Sequence, residues 1–281
     1  MIRLGENRYG KSRVRLVRVK RKGNWNELHE WTVQVLLRGD FASCFTKGDN
    51  SKILPTDTMK NTVYSLARNS SAACIEDFAK ELAAFLLERN PQVSSAEVSI
   101  SERPWDRVVS RGNAHPATFI QSSQELRATS ISAKRDGTIE VVSGLENLVI
   151  LKTTNSAFTG YIKDSLTTLP ETRDRLFGTA VCANWTYTSA NLSFPALRTV
   201  IRDLLLATFA EHQSESVQHT LYAMAQRLLD KVPEVKDIQL TMPNKHHLLV
   251  DLSRFGQDNP NEIFVPTDEP HGFIEARVSR E

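Results

Sequence analysis

The chain has 281 residues, 40% of them hydrophobic and 24% charged, with only 12 glycines and 11 prolines. That is about twice a common domain length and ample for a full core, and the composition excludes disordered, collagenous and membrane-spanning classes. Lys plus Arg number 35 against 33 Asp plus Glu, so the net charge is +2, too small to hold a protein to nucleic acid by overall charge.

The basic residues are nevertheless clustered near the start. Every charged side chain from Arg8 to Lys22 is basic (Arg8, Lys11, Arg13, Arg15, Arg18, Lys20, Arg21, Lys22), which reads either as a solvated strand edge or as a segment that meets an anion. Residues 14–22 are expected to be a strand turning at Lys22-Gly23-Asn24 into a second one, where Trp31, Val33, Val35 and Leu37 alternate onto one face. Thr56 precedes a helical stripe of Met59, Val63 and Leu66. Ile75, Phe78, Ala79, Leu82, Phe85 and Leu86 keep helical spacing up to Asn90-Pro91. Residues 96–103 and 117–134 read as strands.

Residues 138–153 contain strand-like runs broken at Ser143-Gly144, and residues 177–188 are another β-rich stretch. Ser193 is a candidate cap for a helix with Pro195 in its first turn and a stripe of Leu197, Val200, Ile201, Leu204, Leu205 and Phe209. A second helix places Val217, Leu221, Met224 and Leu228 on one side and ends before Pro233; residues 235–242 and 247–252 close as strands. The same order of elements thus occurs twice. It predicts an α+β chain of two units, residues 1–137 and 138–281, each an antiparallel sheet with helices on one face. Bare sheet edges favour association into a barrel, hence an oligomer.

Three cysteines, Cys44, Cys74 and Cys182, are odd in number and widely spaced, which predicts reduced thiols packed as small core residues. The apolar runs around residues 82–87 and 204–206 are too short and charge-flanked to span a bilayer. The first six residues lack an apolar signal core, so the expected address is the cytoplasm. No GxGxxG follows a strand, and GxxxxGK[ST], HExxH, CxxC and GxSxG are missing. His246 and His247, adjacent on a strand, point to opposite faces. His212 and His219 straddle a break at Ser214-Glu215 and are not expected to share a metal ion.

What remains is a set of local strings: Arg8-Tyr9-Gly10-Lys11, Pro55-Thr56-Asp57-Thr58-Met59-Lys60-Asn61-Thr62, Thr153-Thr154-Asn155-Ser156-Ala157-Phe158, Glu171-Thr172-Arg173-Asp174-Arg175, Ser216-Val217-Gln218 and Pro243-Asn244-Lys245-His246. In order and spacing they resemble the urate oxidase (uricase) family from about Arg8 to the C-terminus. The resemblance implies a tunnelling fold (T-fold), with two antiparallel-sheet units per chain and subunits pairing into a barrel. It also implies a homotetramer that oxidises urate with O2 to 5-hydroxyisourate and hydrogen peroxide, without cofactor or metal. By the same resemblance Lys11 and Thr56 are a catalytic dyad, and Asp57 offers a backbone contact to substrate. Phe158 looks like the ring that stacks on urate, Arg175 and Gln218 like the pair clamping its edge, and Val217 like a backbone donor. Asn244 and His246 complete the oxygen and proton-relay side. The Lys-Thr half and the Phe-Arg-Gln half are implied to come from neighbouring subunits.

These residue types suit that chemistry on their own terms. A flat anion rich in N–H and C=O groups is matched by a guanidinium fork and a carboxamide on one edge and an aromatic plate on its face. Val217 and Gln218 fall in a helix's first turn, where unpaired N–H groups and the helix dipole favour an anion. Removing a proton from urate makes it electron-rich enough to meet O2. Threonine needs a deprotonated lysine to take its hydroxyl proton, and the basic neighbours Arg8, Arg13 and Arg15 favour that form of Lys11. His246 can pass a proton to the peroxide oxygen while Asn244 holds O2 or water.

Each residue taken alone also has a plainer use: Thr56 as an N-cap, Phe158 as core, Arg175 as half of a surface ion pair with Asp174, Gln218 and Asn244 as helix-start and turn residues, and His246 as a hydrogen-bonded strand histidine. Two departures from the family pattern stand out. Arg173 replaces an aromatic common in relatives, and the chain ends Val278-Ser279-Arg280-Glu281 rather than in a peroxisomal tripeptide, which favours a bacterial-type cytoplasmic enzyme. The rivals are another tunnelling-fold enzyme acting on a pterin or purine, and a non-catalytic nucleic-acid-binding module built on the basic segment, whose binding would weaken steeply with salt.

Overall fold

Period-two alternation and a glycine turn start the first unit. β1 (Tyr9–Lys22) and β2 (Trp25–Gly39) form an antiparallel hairpin, with Gly23 supplying the positive φ of the turn at 59°. A six-residue helix, α1 (Ala42–Lys47), follows, then α2 (Thr56–Asn69), α3 (Ile75–Arg89) and β3 (Val93–Arg103). β4 (Asp106–Ser110) and β5 (Asn113–Ile120) make a separate hairpin before β6 (Leu126–Lys134). β2, β3 and β6 pair antiparallel in that order, and the start of β7 (Ile139–Lys152) continues the sheet beside β6. The computed structural model describes residues 2–281, and this unit comprises the chain to Gly144 together with Thr186–Pro195.

Trp31, Val33, Val35 and Leu37 all face the core and are at most 1% exposed, as their alternation predicts. Trp31 stacks on Phe78 of α3 at 4.9 Å, and each such burial stabilises the unit by roughly 1.5–3 kcal/mol. The indole Nε1 donates to Glu102 at 3.0 Å, and His29 and Arg127 complete the cradle of that carboxylate at 3.0 and 3.3 Å. Burial alone would raise the Glu102 pKa, but these hydrogen bonds and the Arg127 charge reverse it and hold it below the ordinary value.

The second unit comprises Leu145–Trp185 and Ala196–Glu281. The end of β7 lies beside β8 (Phe177–Tyr187), and α4 (Phe194–Glu211) and α5 (Val217–Lys231) lead to β9 (Val235–Thr241), which also pairs with β8. β10 (Asn244–Leu249) pairs antiparallel with β8 and with β11 (Phe264–Gly272), while β12 (Glu275–Ser279) returns to β9. Ile201, Leu205 and Phe209 of α4 and Leu221, Met224 and Leu228 of α5 are buried, whereas Val200, expected on the α4 stripe, is exposed. The architecture is α+β, with antiparallel pairing throughout the recorded registers.

Several expectations need correction. β7 runs unbroken through Ser143-Gly144, because the buried Ser143 hydroxyl donates to Glu76 at 2.6 Å and so meets its polar requirement without leaving the strand. The stretch 117–134 is not one strand: β5 ends at Ile120 and β6 starts at Leu126. β10 begins at Asn244, three residues before the expected strand, and β11 and β12 were not expected at all; two prolines and exposed acids in β11 hide its periodicity. The cysteines are free but only half-buried rather than packed inside. Cys74 donates to Asp77 at 3.2 Å, and burial pushes its thiol pKa up to about 12.

Candidate active site

In the first unit Lys11 stands on β1 opposite Val35, immediately before a bulge in which Arg13 takes a φ of 58°. Such bulges re-aim neighbouring side chains. A Cβ at the preceding Gly10 would lie 1.8 Å from the Val35 carbonyl oxygen, so only glycine lets the strands approach this closely. Thr56 opens α2, whose N-cap, Pro55, offers no side-chain bond; Thr56 is therefore the first helical residue rather than the cap. Tyr9 ties the loop before it to β1, its hydroxyl donating to the Leu54 carbonyl at 3.2 Å and accepting from the Leu54 N–H at 2.8 Å. Tyr9 and Lys11, two apart on a strand, share a face.

Asp57 follows on the exposed side of α2, with its carboxylate bound to Lys60 and to Asn61, the latter at 3.1 Å. Lys60 chiefly, and the more distant charge of Lys11, hold its pKa below the usual carboxylate range. Among the described residues no hydrogen bond joins Lys11 to Thr56.

The second unit gathers Phe158, Arg175, Val217 and Gln218 around one backbone junction. Ser156 and Ser214 form a parallel bridge, with Ala157 N–H donating to Ser214 at 2.7 Å and Ser214 N–H to Asn155 at 3.0 Å. Asn155 takes a φ of 61°, a conformation asparagine tolerates better than most residues. Phe158 exchanges two backbone bonds with Thr172, at 2.8 and 3.1 Å, which fixes the strip leading to Arg175. The Arg175 guanidinium lies 5.2 Å from the Phe158 ring centroid, and Tyr161 stacks on the same phenyl ring at 4.8 Å.

Arg175 is not the outer half of an ion pair. Asp174 instead accepts from Thr154 Oγ1 at 2.7 Å. The Arg175 Nε is buried without a hydrogen-bond partner, and burial lowers the guanidinium pKa. Beyond Ser214 the chain enters α5, where the Ser216 side chain accepts from the His219 N–H at 3.1 Å and caps the turn that carries Val217 and Gln218.

Asn244 and His246 stand on β10. Asn244 pairs with Thr179, and Lys245 with Gly178, three residues beyond Arg175, so β10 starts beside the strand that Arg175 leads into. A second bulge falls between Asn244 and His246. The next residue, His247, presses on Gly178 from the other face, where an added Cβ would come within 2.9 Å of its ring. His212 and His219 do meet across the helix break, with ring centroids 4.4 Å apart, but among the described residues no group of three or more His, Cys, Asp or Glu side chains is arranged to hold a metal ion.

Part of the basic segment is engaged inside the first unit, three of its eight basic side chains pairing with carboxylates. Arg8 pairs with Glu97 at 2.8 Å, Lys22 with Glu27 at 2.6 Å and Arg15 with Glu30 at 3.5 Å, while Arg18, only 8% exposed, donates to the Ser70 carbonyl. The residues that sequence reasoning missed are the supports. Tyr9 sits inside the Arg8-Lys11 string, and Lys152 immediately precedes the Thr153-Phe158 string, but neither position carries a signal of its own.

An antiparallel α+β frame that holds an under-partnered guanidinium, an aromatic plate and a capped helix start around one junction has the features of a binding site for a planar anion. A family model described as uricase matches residues 7–132 and 141–275. The uricase of Arthrobacter globiformis is 41% identical over 99% of this chain and 90% of its own, and that of Dictyostelium discoideum is 37% identical over 100% and 98%. A crystal structure of the Arthrobacter uricase superposes with a TM-score of 0.95 at 40% identity, covering 100% of this chain and 96% of that one. A urate oxidase from Bacillus sp. TB-90, at 24% identity and a TM-score of 0.86 over 98% and 99% of the two chains, shares the fold. The chain belongs to the uricase family, whose activity, the oxidation of urate, is an oxidoreductase reaction. No helix among the described residues is long and apolar enough to cross a membrane.

Proposed function

We propose that the chain oxidises urate with O2 and water to 5-hydroxyisourate and hydrogen peroxide, with no resident cofactor, in a cytoplasmic homotetramer. The observation that carries this reading is the Arg175 guanidinium, buried at Nε without a partner and set 5.2 Å from Phe158. Desolvating a cation without a hydrogen-bond partner is costly. A bound anion offsets that cost and gains charge-assisted bonds in return.

In this reading urate stacks on Phe158, its edge meets Arg175 and the Gln218 carboxamide, and the Val217 N–H adds a bond at the α5 N-terminus. Lys11, as the free amine, takes the Thr56 hydroxyl proton, and Thr56 in turn removes a proton from bound urate. Asp57 contributes a backbone contact. The electron-rich anion then transfers electrons to O2 held near Asn244, and His246 relays a proton to the departing peroxide; water supplies the oxygen retained at the carbon. The overall balance is one urate, one O2 and one water giving one 5-hydroxyisourate and one hydrogen peroxide.

Lys11, Thr56 and Asp57 lie in the first unit and the other six residues in the second. The proposal is that chains associate through their sheets into a T-fold barrel, the two units near residues 1–137 and 138–281 acting as its repeats, so that each site draws its halves from two subunits. Mixing two inactive variants, Lys11→Ala and Arg175→Ala, tests this: shared sites restore part of the activity, whereas no recovery after verified subunit exchange excludes them. Metal-stripped protein should consume urate and O2 in equal amounts and release peroxide; a rate abolished by chelator excludes the cofactor-free mechanism.

A further inference from the structure

The turn between α4 and α5 connects two groups that the proposed reaction needs in fixed register. Through the Ser156–Ser214 bridge it holds the strip that carries Phe158, and two residues later it enters the first turn of α5 with Val217 and Gln218. The turn is short, polar and half-exposed, so backbone propensity alone gives it little rigidity. Three side chains supply what the backbone lacks.

Lys152, at the end of β7, reaches under the turn and donates from Nζ to the His212 carbonyl at 2.6 Å and to the Phe209 carbonyl at 3.1 Å. These carbonyls belong to the C-terminal end of α4, which lacks intrahelical donors and carries the negative end of the helix dipole. His212 Nδ1 is 3.2 Å from Thr220 Oγ1, which links the end of α4 to the second turn of α5. The His219 ring packs edge-on against His212, and its Nδ1 accepts from the Glu215 N–H at 3.4 Å. Thr220 is fully buried, so its hydroxyl has little competition from water.

We propose that Lys152, His212 and Thr220 form a positioning cluster that sets the Phe158 plate and the Val217–Gln218 turn in register for a planar anionic substrate. None of the three touches substrate in this arrangement; they act through the turn. The inference rests on the reading of Phe158, Val217 and Gln218 as the substrate-binding side.

The charged surroundings of His212 give the cluster a readout that mere structural support lacks. Lys152 from β7 and His219 from α5 face the imidazole, Glu215 approaches from the turn, and Glu211, Arg227, Asp230 and Lys231 line the shallow cavity on its outer side. Burial first, then His219 and Lys152, lower the His212 pKa, and Glu215 opposes them only in part. A histidine whose folded pKa is depressed contributes stability that is complete above the unfolded value, about 6.5, and is lost as pH falls towards the folded value. Protonation sets a new cation beside Lys152 and His219 and leaves Nδ1 able only to donate to the Thr220 hydroxyl, so on acidification charge repulsion loosens the register before the unit unfolds.

The test measures urate affinity without turnover, by anaerobic equilibrium titration of the whole protein from pH 5.5 to 8.5, alongside thermal melting and steady-state kinetics. His212→Asn keeps a hydrogen-bonding group near the position of Nδ1 but does not titrate. It is expected to match wild-type affinity at pH 8 and to lose most of the weakening that wild type shows between pH 7 and 5.5. Lys152→Met, which removes both donations at similar length, should weaken urate binding about tenfold at pH 8, with Lys152→Arg restoring part of it; tenfold is about 1.4 kcal/mol.

Thr220→Val guards against misfolding of the lysine variant and should weaken binding a few-fold. A melting temperature lowered in Lys152→Met and Thr220→Val with affinity within twofold of wild type overturns the inference, as does an acid weakening that persists in His212→Asn. Wild-type protein that neither binds nor turns over urate overturns the underlying reading as well, whereas normal wild-type turnover with unshifted variants overturns this inference alone.

Discussion

The two halves of the candidate site are built differently. In the second unit Phe158, Arg175 and the start of α5 are locked by backbone bridges, and a desolvated guanidinium waits without a partner at Nε. In the first unit Lys11 sits at a strand bulge, Thr56 opens a helix without a side-chain cap, and the Asp57 carboxylate is turned away onto Lys60 and Asn61. Groups that recognise a rigid planar anion gain from being fixed in advance, because every degree of freedom frozen before binding is not lost during it. Groups that exchange protons need a lone pair in reach of the substrate rather than a deep pocket of their own. The contrast predicts that damage to the first half falls on turnover and damage to the second half on affinity.

The largest expected effect is on turnover. Lys11→Ala and Thr56→Ala should each lower kcat by at least about 100-fold, in the range of a lost general base, while anaerobic urate affinity stays within about threefold. Because the two residues are proposed to act as a unit, the double variant should cost little more than either single one. Loss of affinity that matches the loss of kcat would move the dyad into the binding half and break the contrast.

Next comes affinity. Arg175→Lys keeps a positive charge but loses the planar fork, so urate binding should weaken about 10- to 100-fold, the worth of roughly 1.5–3 kcal/mol for hydrogen bonds to a charged group. The melting temperature of the ligand-free protein should not fall, since the replaced Nε has no partner to lose. A stability loss equal to that of a core residue would show that Arg175 serves the fold rather than the substrate.

How much of this was legible follows from the kind of signal each element leaves. Strand β2 and helices α3 and α5 write their buried faces into periodicity: Trp31, Val33, Val35 and Leu37, and Val217, Leu221, Met224 and Leu228, are all buried, and on α3 only Phe85 of the expected stripe stays partly exposed. β11 and β12 are invisible because their side chains face solvent, so nothing enforces alternation. The continuity of β7 depends on Glu76 meeting Ser143 from 67 positions away, a pairing that no local window contains. For the site, the strings identify which side chains matter, but not that the Asp174 carboxylate is taken by Thr154 and leaves Arg175 without it, nor that Tyr9 tethers the loop before Thr56. Long-range hydrogen bonds of single polar residues leave no pattern, and the supporting residues are therefore the ones missed.

A third prediction separates fold from site within the first unit. Glu102 accepts from Trp31 and His29 and faces Arg127, and these partners hold its pKa below the ordinary value in spite of burial. With a depressed folded pKa, its stabilising contribution is present above the unfolded value of about 4.3 and is lost as pH falls through the folded one. Glu102→Gln should cost about 1–3 kcal/mol at pH 7 and flatten part of the acid loss in stability, as read by denaturant melts from pH 7 to 3. An unchanged acid limb would assign it to other carboxylates.

The smallest effect compares the two helix starts. α5 is capped by Ser216, whose side chain accepts from the His219 N–H, while α2 begins after Pro55 with no side-chain cap. Removing such a cap typically costs about 1 kcal/mol, and here the first turn that frays is the one proposed to meet urate through Val217 and Gln218. Ser216→Ala should therefore weaken urate binding a few-fold and leave kcat within about twofold, because the proton-transfer half is untouched. Pro55→Ser should gain a cap on α2 and change affinity little, while any loosening of the loop that Tyr9 tethers would appear in kcat. If Ser216→Ala lowers kcat and leaves affinity alone, the first turn of α5 belongs to the chemistry, and the division of labour between the two units fails at that point.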